Sequence, residues 1–467
     1  MALAPQKREA EAIFYELTRS ICPTCRTVID AQILLRDGKV YMRKRCPEHG
    51  WFEGLIYSDA TLYANSLRYN KPGTIPLAFS TEVKAGCPYD CGLCPEHKQH
   101  ACLGIIEVNT GCNLACPVCF ADAGDGYSLT VGDVERMLDR FVECEGQGEV
   151  IQFSGGEPTI HPEILAMLRA ARRRPIRYVM LNTNGIRIAR DDRFLSELAE
   201  IGPTIYLQFD GLTAETYLRL RGKDLVDEKR RALDRLAQAG LKAILVAAVE
   251  RGVNEHEVGS LVRFALEHPA VRGVTFQPVT HVARHLPFDP MERVTIPDVI
   301  RAIEAQTDGL FVQQDFVPVP CCFPTCSSVT YAYVDGERIT PLPRVLDVQA
   351  HLDYITNRAV PDAPPGLRRA LEGLWSASAV PGTDRAAEQF ACASCGLDLD
   401  PGTDLVDRIF MITVKDFMDA YTFNVKNVMK CCVEVLVPDG RMIPFCAYNT
   451  VGYREQVRAQ LAARGRR

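Results

Sequence analysis

Short runs of β-branched and other apolar residues alternate with longer amphipathic stretches from residue 104 to about residue 278. The short runs are typical of buried strands, and the longer stretches carry apolar residues at helical spacing. This alternation predicts a parallel α/β sheet, because parallel neighbouring strands are joined by crossovers that usually contain a helix. The predicted strands are residues 105–108, 150–153, 178–181, 205–209, 243–249 and 274–276. Helices are predicted between them, among others at residues 131–143, 162–171 and 227–239.

The number of predicted strands bears on the architecture. Six strands in this order fit an open, partial barrel better than the eight strands of a closed barrel. An ordinary doubly wound domain shows the same alternation and stays open on strand count alone. The predicted fold class is therefore α/β, with a partial, TIM-like (β/α)6 barrel as its core.

Cysteine-rich segments flank the predicted barrel on both sides and divide the chain into four parts. Residues 1–75 are predicted to form a small metal-binding ribbon, and residues 76–103 a segment with an auxiliary cysteine cluster. Residues 104–315 form the barrel, and residues 316–467 form a C-terminal domain with auxiliary iron–sulfur sites. Within that domain, residues 357–389 are rich in Ala, Pro, Gly and charge and are typical of a linker.

Composition and charge exclude several classes of function. The 467 residues carry a net charge of −6 and no long basic block, so nucleic-acid binding is not expected. No apolar run approaches the roughly 18 residues that a membrane span needs, and the N-terminus lacks the continuous apolar region of a signal peptide. A cytoplasmic protein is therefore predicted. Because thiols stay reduced there, the 19 cysteines indicate metal sites rather than disulfides.

The C-terminal residues 453–467, YREQVRAQLAARGRR, combine basic and apolar positions at helical spacing. Such a helix is compatible with peripheral contact to the inner face of a membrane. A solvated terminal helix is the more common structure for a tail of this kind and is the preferred interpretation.

Three cysteines follow the first predicted strand directly, in the segment 111–120, GCNLACPVCF. The spacing of Cys112, Cys116 and Cys119 lets one loop place three thiolates on a cubane cluster, and it leaves one iron without a protein ligand. An open iron can be chelated by a small-molecule cofactor. On spacing alone, a zinc site or a closed cluster with four cysteines remains an alternative.

Further short motifs stand at the ends of the next predicted strands, where ligands bind in parallel sheets. Residues 154–158 read SGGEP, residues 181–185 read LNTNG, and residues 208–211 read QFDG. In the first motif, two glycines permit close approach of the backbone, and a carbonyl or carboxylate can accept a hydrogen bond from an ammonium group. Each motif by itself also fits a plain turn.

Taken in this order, the CNLACPVC, GGEP, TNG and DG segments resemble the radical S-adenosylmethionine (SAM) superfamily. The resemblance implies a 4Fe–4S cluster on the three catalytic cysteines, where SAM is reductively cleaved to a 5′-deoxyadenosyl radical. It places the GGEP backbone at the SAM amino group and the later strand ends at the rest of SAM. The residues implied in SAM binding are Phe120, Gly155, Gly156, Glu157, Pro158, Asn182, Asn184, Gln208, Asp210, Val246, Asn254 and Gln277.

Two accessory metal sites are predicted before the barrel. Four thiolates within sixteen residues, those of Cys87, Cys91, Cys94 and Cys102, would close every iron of a second cluster and make it an electron relay. A structural zinc knuckle is the alternative, with His97 or His100 in place of a thiolate. The CPTC and CPEHG segments further upstream look like the two halves of a rubredoxin-like or zinc-ribbon site for mononuclear iron or zinc. Its predicted ligands are Cys22, Cys25, Cys46 and His49.

The C-terminal part offers thiols for one or two further clusters. Adjacent cysteines seldom bind the same metal, so some of these thiols are expected to be packing residues. Cys144, alone in a predicted helix, is expected in the core. The predicted C-terminal ligands are Cys321, Cys326, Cys392, Cys395, Cys431, Cys432 and Cys446.

The whole layout, from CPTC to MKCCVEVLVPDGRMIPFCAYN, resembles the tetraether lipid synthase group, whose members were earlier described as pterin-methylating radical SAM proteins. This narrower resemblance implies hydrogen abstraction from an unactivated carbon and carbon–carbon coupling of lipid alkyl chains. The alternative is a radical SAM methyltransferase that acts on a pterin precursor, and the second alternative is a non-catalytic iron–sulfur electron carrier. The expected partners are a small-molecule or lipid substrate and a reductase such as ferredoxin or flavodoxin.

Overall fold

A computed structural model of the chain describes residues 11–345 and 408–464. The predicted linker and the thiols of Cys392 and Cys395 lie outside the described residues. An antiparallel four-stranded sheet forms the N-terminal part, with its strands in chain order. These strands are β1 (Ile13–Ile21), β2 (Val28–Arg36), β3 (Lys39–Cys46) and β4 (Gly50–Tyr57), and helix α1 (Ala60–Ser66) follows them.

Six parallel strands form the centre of a second, larger sheet, and they confirm the predicted α/β fold with a partial barrel. Each strand pairs in parallel with the next one along the chain. The carboxyl ends of all six therefore meet at one rim of the half-barrel. The strands are β5 (Leu103–Glu107), β6 (Gly148–Ser154), β7 (Ile176–Thr183), β8 (Thr204–Gln208), β9 (Ala243–Val249) and β10 (Val271–Pro278).

Helices in the crossovers cover the outside of the half-barrel. Local signals set their ends: before α2, Thr130 accepts from the backbone N–H of Asp133, whose carboxylate accepts from the backbone N–H of Thr130 in return. The crossover helices are α2 (Val131–Glu145), α3 (Ile164–Arg172), α4 (Ile186–Arg190), α5 (Asp192–Ile201), α6 (Ala214–Arg221), α7 (Val226–Gln238) and α8 (Val258–Glu267), and α9 (Ile296–Gln306) follows β10.

Side chains alternate between the two faces of the barrel strands, as the period of two in a strand requires. Phe153, Leu207 and Phe276 point outward and are fully buried under the helices. Gln152 precedes Phe153, and Tyr206 precedes Leu207, so both side chains point to the opposite face. They line the space inside the half-barrel. The outer face is thus a continuous apolar core, and the inner face is free to present chemistry.

The C-terminal chain completes both edges of this sheet. Its strands are β11 (Val317–Pro318), β12 (Ser327–Asp335), β13 (Arg338–Pro341), β14 (Ile409–Lys415), β15 (Val433–Leu436) and β16 (Met442–Pro444). Strand β14 pairs in parallel with β10, and β15 pairs in parallel with β5, so the unpaired edges of the half-barrel are both covered. The predicted boundary between residues 315 and 316 therefore does not separate two sheets, because strands from both sides share one sheet of twelve within the described residues.

In the C-terminal residues that the structure describes, four more helices are found: α10 (Leu342–Val345), α11 (Val425–Met429), α12 (Phe445–Thr450) and α13 (Tyr453–Arg464). One face of α13 is buried, with Tyr453, Arg454 and Val457 at most 5% exposed. The preferred interpretation of this tail as a solvated helix is therefore wrong for that face, and its contact with a membrane has no support. In residues 11–345 and 408–464, no helix is long and apolar enough to cross a bilayer.

Candidate active site

A cavity lies at the carboxyl ends of the barrel strands, the usual place for ligands in sheets of this kind. Its volume is about 220 Å³, and it opens to solvent. Half of the residues predicted to bind SAM line this cavity, and the other half do not. Those that line it are Phe120, Gly155, Asn182, Gln208, Val246 and Gln277.

The three-cysteine loop begins directly after β5 and faces the same rim. The thiols of Cys112, Cys116 and Cys119 are each partly exposed, so all three are accessible to a cluster. Backbone N–H groups of Leu114 and Ala123 donate to the sulfurs of Cys112 and Cys119, both at 3.4 Å. N–H groups aimed at sulfur stabilise thiolates, so the donor set fits a cluster with three protein ligands.

The protonation of these thiols couples cluster binding to pH. Burial raises the pKa of Cys112 to about 11, and it also raises the pKa of Cys116. Both sulfurs therefore carry protons at neutral pH in the metal-free chain, and cluster binding must release them.

Arg221 is a functional residue that the sequence motifs did not indicate. It lines the cavity at the end of α6, and its guanidinium makes two 2.6 Å hydrogen bonds to the carboxylate of Asp210. It also donates to the backbone oxygen of Val118, in the cluster loop. Burial has the largest effect on the pKa of Cys116 and raises it. The positive charge of Arg221 acts in the opposite direction and favours the thiolate. Asp210, predicted to bind SAM, positions this arginine instead of lining the cavity.

The GGEP segment packs so closely against the start of the cluster loop that neither of its glycines has room for a side chain. Gly155 has a φ of +142°, and a Cβ there would lie 2.4 Å from the backbone oxygen of Asn109. At Gly156 a Cβ would lie 2.2 Å from the backbone oxygen of Gly111. The N–H groups of Gly156 and Glu157 donate to those two oxygens, both at 2.8 Å. The segment therefore holds the start of the cluster loop by its backbone.

Glu157 does not face the cavity. Its carboxylate is 1% exposed and accepts from the backbone N–H and hydroxyl of Thr159, the hydroxyl of Thr183 and the backbone N–H of Asn184. With these acceptor sites used, the side chain ties the end of β6 to the end of β7. The side chain thus has a positioning role, whereas contact of the backbone of this segment with SAM stays a prediction. Pro158 begins the short helical turn that follows.

Asn184 and Asn254, also predicted to bind SAM, do not line the cavity, and their contact with SAM stays a prediction. The side-chain amide of Asn184 donates to the side-chain oxygen of Asn113 in the cluster loop at 2.7 Å. The amide of Asn254 donates to the backbone oxygens of Asp210 and Ala248, at 2.9 and 2.7 Å. Asn254 therefore fixes the backbone at the ends of β8 and β9, and Asn184 holds the side chain of a residue in the cluster loop.

The side of the cavity opposite the GGEP segment is formed by C-terminal residues. The ring of Phe120, next to Cys119, stacks on Phe445 at 4.9 Å between centroids and contacts Phe417 edge-on at 5.6 Å. Phe417 and Phe445 also line the cavity. The predicted SAM-side residue Phe120 is thus part of an aromatic wall that only the folded chain assembles.

A buried ion pair connects this wall to β5. Glu107, the last residue of β5, accepts two 2.8 Å hydrogen bonds from Arg454 of α13 and one from Tyr448 at 3.2 Å. Glu107 and Arg454 are 7% and 5% exposed, and both line the cavity. Arg454 also donates to the backbone oxygen of Ala121, just after Cys119. The C-terminal helix is therefore a structural part of the cluster site.

Replacing Arg458 with alanine is expected to loosen the loop after Cys119. Its guanidinium donates to the backbone oxygens of Ala121 and Asp122, at 2.6 and 3.0 Å, and pairs with the Asp122 carboxylate at 3.2 Å. Loss of these charge-assisted bonds should destabilise the fold by about 1–2 kcal/mol. It should also speed hydrogen exchange in residues 119–123, measured by mass spectrometry of the anaerobic holoenzyme. The Gln460→Ala variant, on the exposed face of α13, is the control, and equal exchange in both variants would contradict the prediction.

The N-terminal ribbon brings its four predicted ligands together. The ligand atoms of Cys22, Cys25, Cys46 and His49 all lie within 4.8 Å of one another. The sulfurs of Cys25 and Cys46 are 3.9 Å apart, close to the roughly 3.8 Å edge of a tetrahedron with 2.3 Å zinc–sulfur bonds. Hydrogen bonds with Thr27 lower the pKa of Cys25 to about 6, which favours the thiolate. The set fits a single metal ion.

A second compact thiol group differs from the sequence prediction. The sulfurs of Cys102, Cys321 and Cys432 lie within 4.8 Å of one another, and Cys322 interacts with the last two. Cys102 was predicted to be the fourth ligand of the upstream cluster, and Cys322 was not among the predicted ligands. The structure changes both assignments, because Cys102 precedes β5, and β15, which pairs with β5, follows Cys432 directly.

The other three upstream thiols stay together without Cys102. Cys87, Cys91 and Cys94 surround a small cavity that His97 also lines. The imidazole of His97 lies 2.7 Å from the backbone oxygen of Cys431. This contact brings the upstream segment against the C-terminal cysteines.

The remaining described C-terminal thiols are Cys326, Cys431 and Cys446. Burial raises the pKa of all three, and their mutual interactions add to the rise for Cys326 and Cys431. They are near one another, but they do not form a compact set in the described residues. Cys144 is fully buried in α2, in the hydrophobic core.

Comparisons with known proteins extend these observations. Residues 106–265 match the model of the radical SAM superfamily, and residues 14–58 match that of the HMPTM N-terminal zinc ribbon domain. The 7,8-dihydro-6-hydroxymethylpterin dimethyltransferase of Methanocaldococcus jannaschii is 36% identical over 479 residues, which cover 94% of each chain. The GTP 3′,8-cyclase of Chlorobaculum tepidum is 33% identical over 37% of this chain and 53% of its own. The crystal structure of Streptococcus suis SuiB bound to precursor peptide SuiA is 20% identical, covers 45% of this chain and 46% of that chain, and gives a TM-score of 0.39.

These comparisons confirm a radical SAM enzyme whose cofactors are a 4Fe–4S cluster and SAM. The ribbon and the additional thiol groups fit auxiliary metal sites. The resemblance to the tetraether lipid synthase group is not supported by the same comparisons, and the expectation of lipid coupling is not confirmed. The prediction of a non-catalytic electron carrier does not fit an enzyme family.

Proposed function

This chain belongs to the radical SAM superfamily, and we propose that it transfers methyl groups to a pterin-class acceptor. The observation that carries the proposal is similarity along nearly the full length to a relative named as a dihydropterin dimethyltransferase. That similarity includes the ribbon and the C-terminal segments, which a match to the barrel alone would leave out. A small-molecule substrate and an external reductase are general features of this superfamily, and ferredoxin or flavodoxin is the proposed donor.

When bound, the cluster and SAM supply a 5′-deoxyadenosyl radical, which abstracts hydrogen from carbon. In this proposal Cys112, Cys116 and Cys119 hold three irons, and the fourth iron is left for SAM. The backbone at Gly155 and the amides that line the cavity orient the cofactor. Arg221 balances negative charge beside Cys116, and Asp210 keeps that guanidinium in place.

The acceptor is proposed to occupy the C-terminal side of the cavity. Phe417 and Phe445 offer apolar ring surfaces there, against which a flat heterocycle can stack. The Glu107–Arg454 pair adds hydrogen-bonding groups at the same wall. Aromatic surface combined with a few fixed polar groups is the usual composition of a site for a small planar molecule.

Carbon–carbon coupling of alkyl chains is the second candidate, favoured by one structural feature. A second cavity of about 70 Å³ adjoins the first, and they share Leu103, Gln152, Tyr206 and Lys415. Much of its lining is apolar, including Val150, Met180, Ile244, Val329 and Met411. An apolar chamber that opens toward the radical site could hold part of an alkyl chain.

The two candidates give products that differ in mass. We expect the anaerobically reconstituted enzyme, given reductant and SAM with a deuterated methyl group, to convert 7,8-dihydro-6-hydroxymethylpterin to labelled, methylated product. Formation of 5′-deoxyadenosine is measured in the same samples. A parallel incubation with host lipid extract replaces the pterin. Unlabelled pterin together with a lipid product that has lost hydrogen and is joined across two chains would contradict methyl transfer and favour coupling.

A further inference from the structure

Two antiparallel strands form one wall of the second cavity, and their polarity changes along it. In the ladder between β12 and β14, Ser327 pairs with Lys415, Val329 with Thr413 and Tyr331 with Met411. All six residues line the cavity. The end of the wall with Lys415 and Ser327 is polar and adjoins the active-site cavity. The end with Tyr331 and Met411 is mainly apolar.

Lys415 differs from the other cations that line the two cavities. Arg221 is paired with Asp210, and Arg454 is paired with Glu107. The ammonium of Lys415 has no carboxylate within 4 Å in residues 11–345 and 408–464, and no hydrogen bond to an acceptor there. The ammonium lies 5.6 Å from the centroid of the Phe417 ring, and it also interacts electrostatically with the thiols of Cys322 and Cys432. A positive charge held inside a fold without a counter-charge is costly unless a ligand supplies one.

Uncharged hydrogen-bond donors lie near the ammonium group of Lys415. The hydroxyls of Ser327 and Thr413 have no hydrogen-bond partner in the described residues, and both residues line the cavity next to Lys415. The side-chain amide of Gln152 lines both cavities from the opposite wall. One ammonium, two hydroxyls and an amide can together donate to the oxygens of a single phosphate or carboxylate group.

We propose that Lys415, with Ser327 and Thr413, forms an oxyanion-binding subsite for the acceptor substrate at the junction of the two cavities. The substrate class is a pterin-class acceptor that also carries one phosphate or carboxylate group next to an apolar portion. The oxyanion binds at Lys415, and the apolar portion lies along Val329, Tyr331 and Met411. This inference rests on the proposed function in taking the adjoining cavity as the site where a pterin-class acceptor reacts.

The positive charge of Lys415 has two alternative roles, and experiment can distinguish both from the oxyanion subsite. The thiols of Cys322 and Cys432 interact electrostatically with Lys415, so its charge could instead balance a cluster held there. The carboxylate of SAM, which is proposed to bind in the adjoining cavity, is another oxyanion that the charge could hold. The subsite predicts an effect on the affinity of an anionic amphiphile, whereas the other uses predict altered cluster spectra or weaker SAM binding.

The test uses the reconstituted holoenzyme and two probes, hexyl phosphate and hexanol, titrated by anaerobic calorimetry. The wild type should bind the phosphate at least about tenfold more tightly than the alcohol, since a charge-assisted hydrogen bond contributes about 1.5–3 kcal/mol. Lys415→Met should weaken binding of the phosphate by about tenfold or more and leave that of hexanol within about twofold. Lys415→Arg should restore most of the lost affinity. Ser327→Ala, a milder change, should weaken phosphate binding by about threefold.

Lys426→Met, which removes an exposed lysine paired with Glu16, is the matched control and should bind both probes as the wild type does. Equal affinity of the wild type and Lys415→Met for hexyl phosphate would overturn the subsite. Changed electron paramagnetic resonance of a cluster, or weaker SAM binding, with unchanged phosphate affinity would also overturn it. Formation of 5′-deoxyadenosine by the wild type is measured separately, so a failure of the proposed function is recognised independently.

Discussion

Replacing Cys119 with alanine is expected to abolish the reductive cleavage of SAM, with 5′-deoxyadenosine formation reduced by about a thousandfold or more. The loop supplies three thiolates, and two of them cannot hold a cubane that must leave one iron for SAM. Cys119 is also held in place on both sides, because its N–H donates to Arg284 and its sulfur accepts from the N–H of Ala123. The loss should therefore come from the missing ligand rather than from a rearranged loop.

Three measurements on anaerobically reconstituted protein check this expectation: iron content, the electron paramagnetic resonance spectrum and 5′-deoxyadenosine. Iron should fall by one cluster's amount, while the auxiliary sites stay loaded. Cys144→Ala is the matched control, because Cys144 is a fully buried thiol of the α2 core, away from the metal sites. Undiminished 5′-deoxyadenosine from Cys119→Ala would remove the basis for assigning the radical chemistry to this loop.

Replacing Gly156 with alanine is expected to cost about 3 kcal/mol of stability and at least about a hundredfold in SAM cleavage. A Cβ at this position would lie 2.2 Å from the backbone oxygen of Gly111 and 2.4 Å from that of Thr110. Backbone atoms cannot move aside as a flexible side chain can, so the start of the cluster loop must shift. A small displacement there changes the distance between the cluster and the strand ends that bind SAM.

The Gly132→Ala variant makes the same chemical change where there is room. Gly132 lies in the first turn of α2, and its nearest neighbour to a new Cβ is the Arg136 side chain at 3.6 Å. Alanine in a helix is favoured by about 0.5–1 kcal/mol over glycine, so this variant should be slightly more stable and fully active. Urea unfolding and 5′-deoxyadenosine assays compare the two. Similar behaviour of both variants would show that the contact at Gly156 is not tight.

Sequence patterns were informative where the relevant interactions are local. The six barrel strands were predicted from short apolar runs, and the strand at residues 243–249 agrees with β9 at both ends. The loop of Cys112, Cys116 and Cys119 and the glycines after β6 could be recognised because a short loop limits where its own residues can go. The ribbon ligands Cys22, Cys25, Cys46 and His49 come from two such turns, and the structure brings them together.

The spacing of cysteines along the sequence could not predict which cysteines from different segments lie together in the fold. Cys102 is near Cys94 in the sequence, yet the structure places it with Cys321 and Cys432, because β5 and β15 are neighbours in the sheet. Cys322 was not among the predicted ligands, yet it interacts with Cys321 and Cys432. A buried thiol group of this kind is defined by strand pairing over hundreds of residues, which no local pattern records.

The sequence by itself determined the chemistry of this protein: an α/β half-barrel with a three-cysteine loop and glycines that let the backbone approach it. Only the tertiary structure decided which residues surround that chemistry. Arg454 and Arg458 reach the cluster loop from the last helix, and Lys415 enters the cavity wall through a strand added at the sheet edge. The physical reason is that short-range spacing restricts a loop directly. A contact between distant segments depends on the packing of the whole sheet.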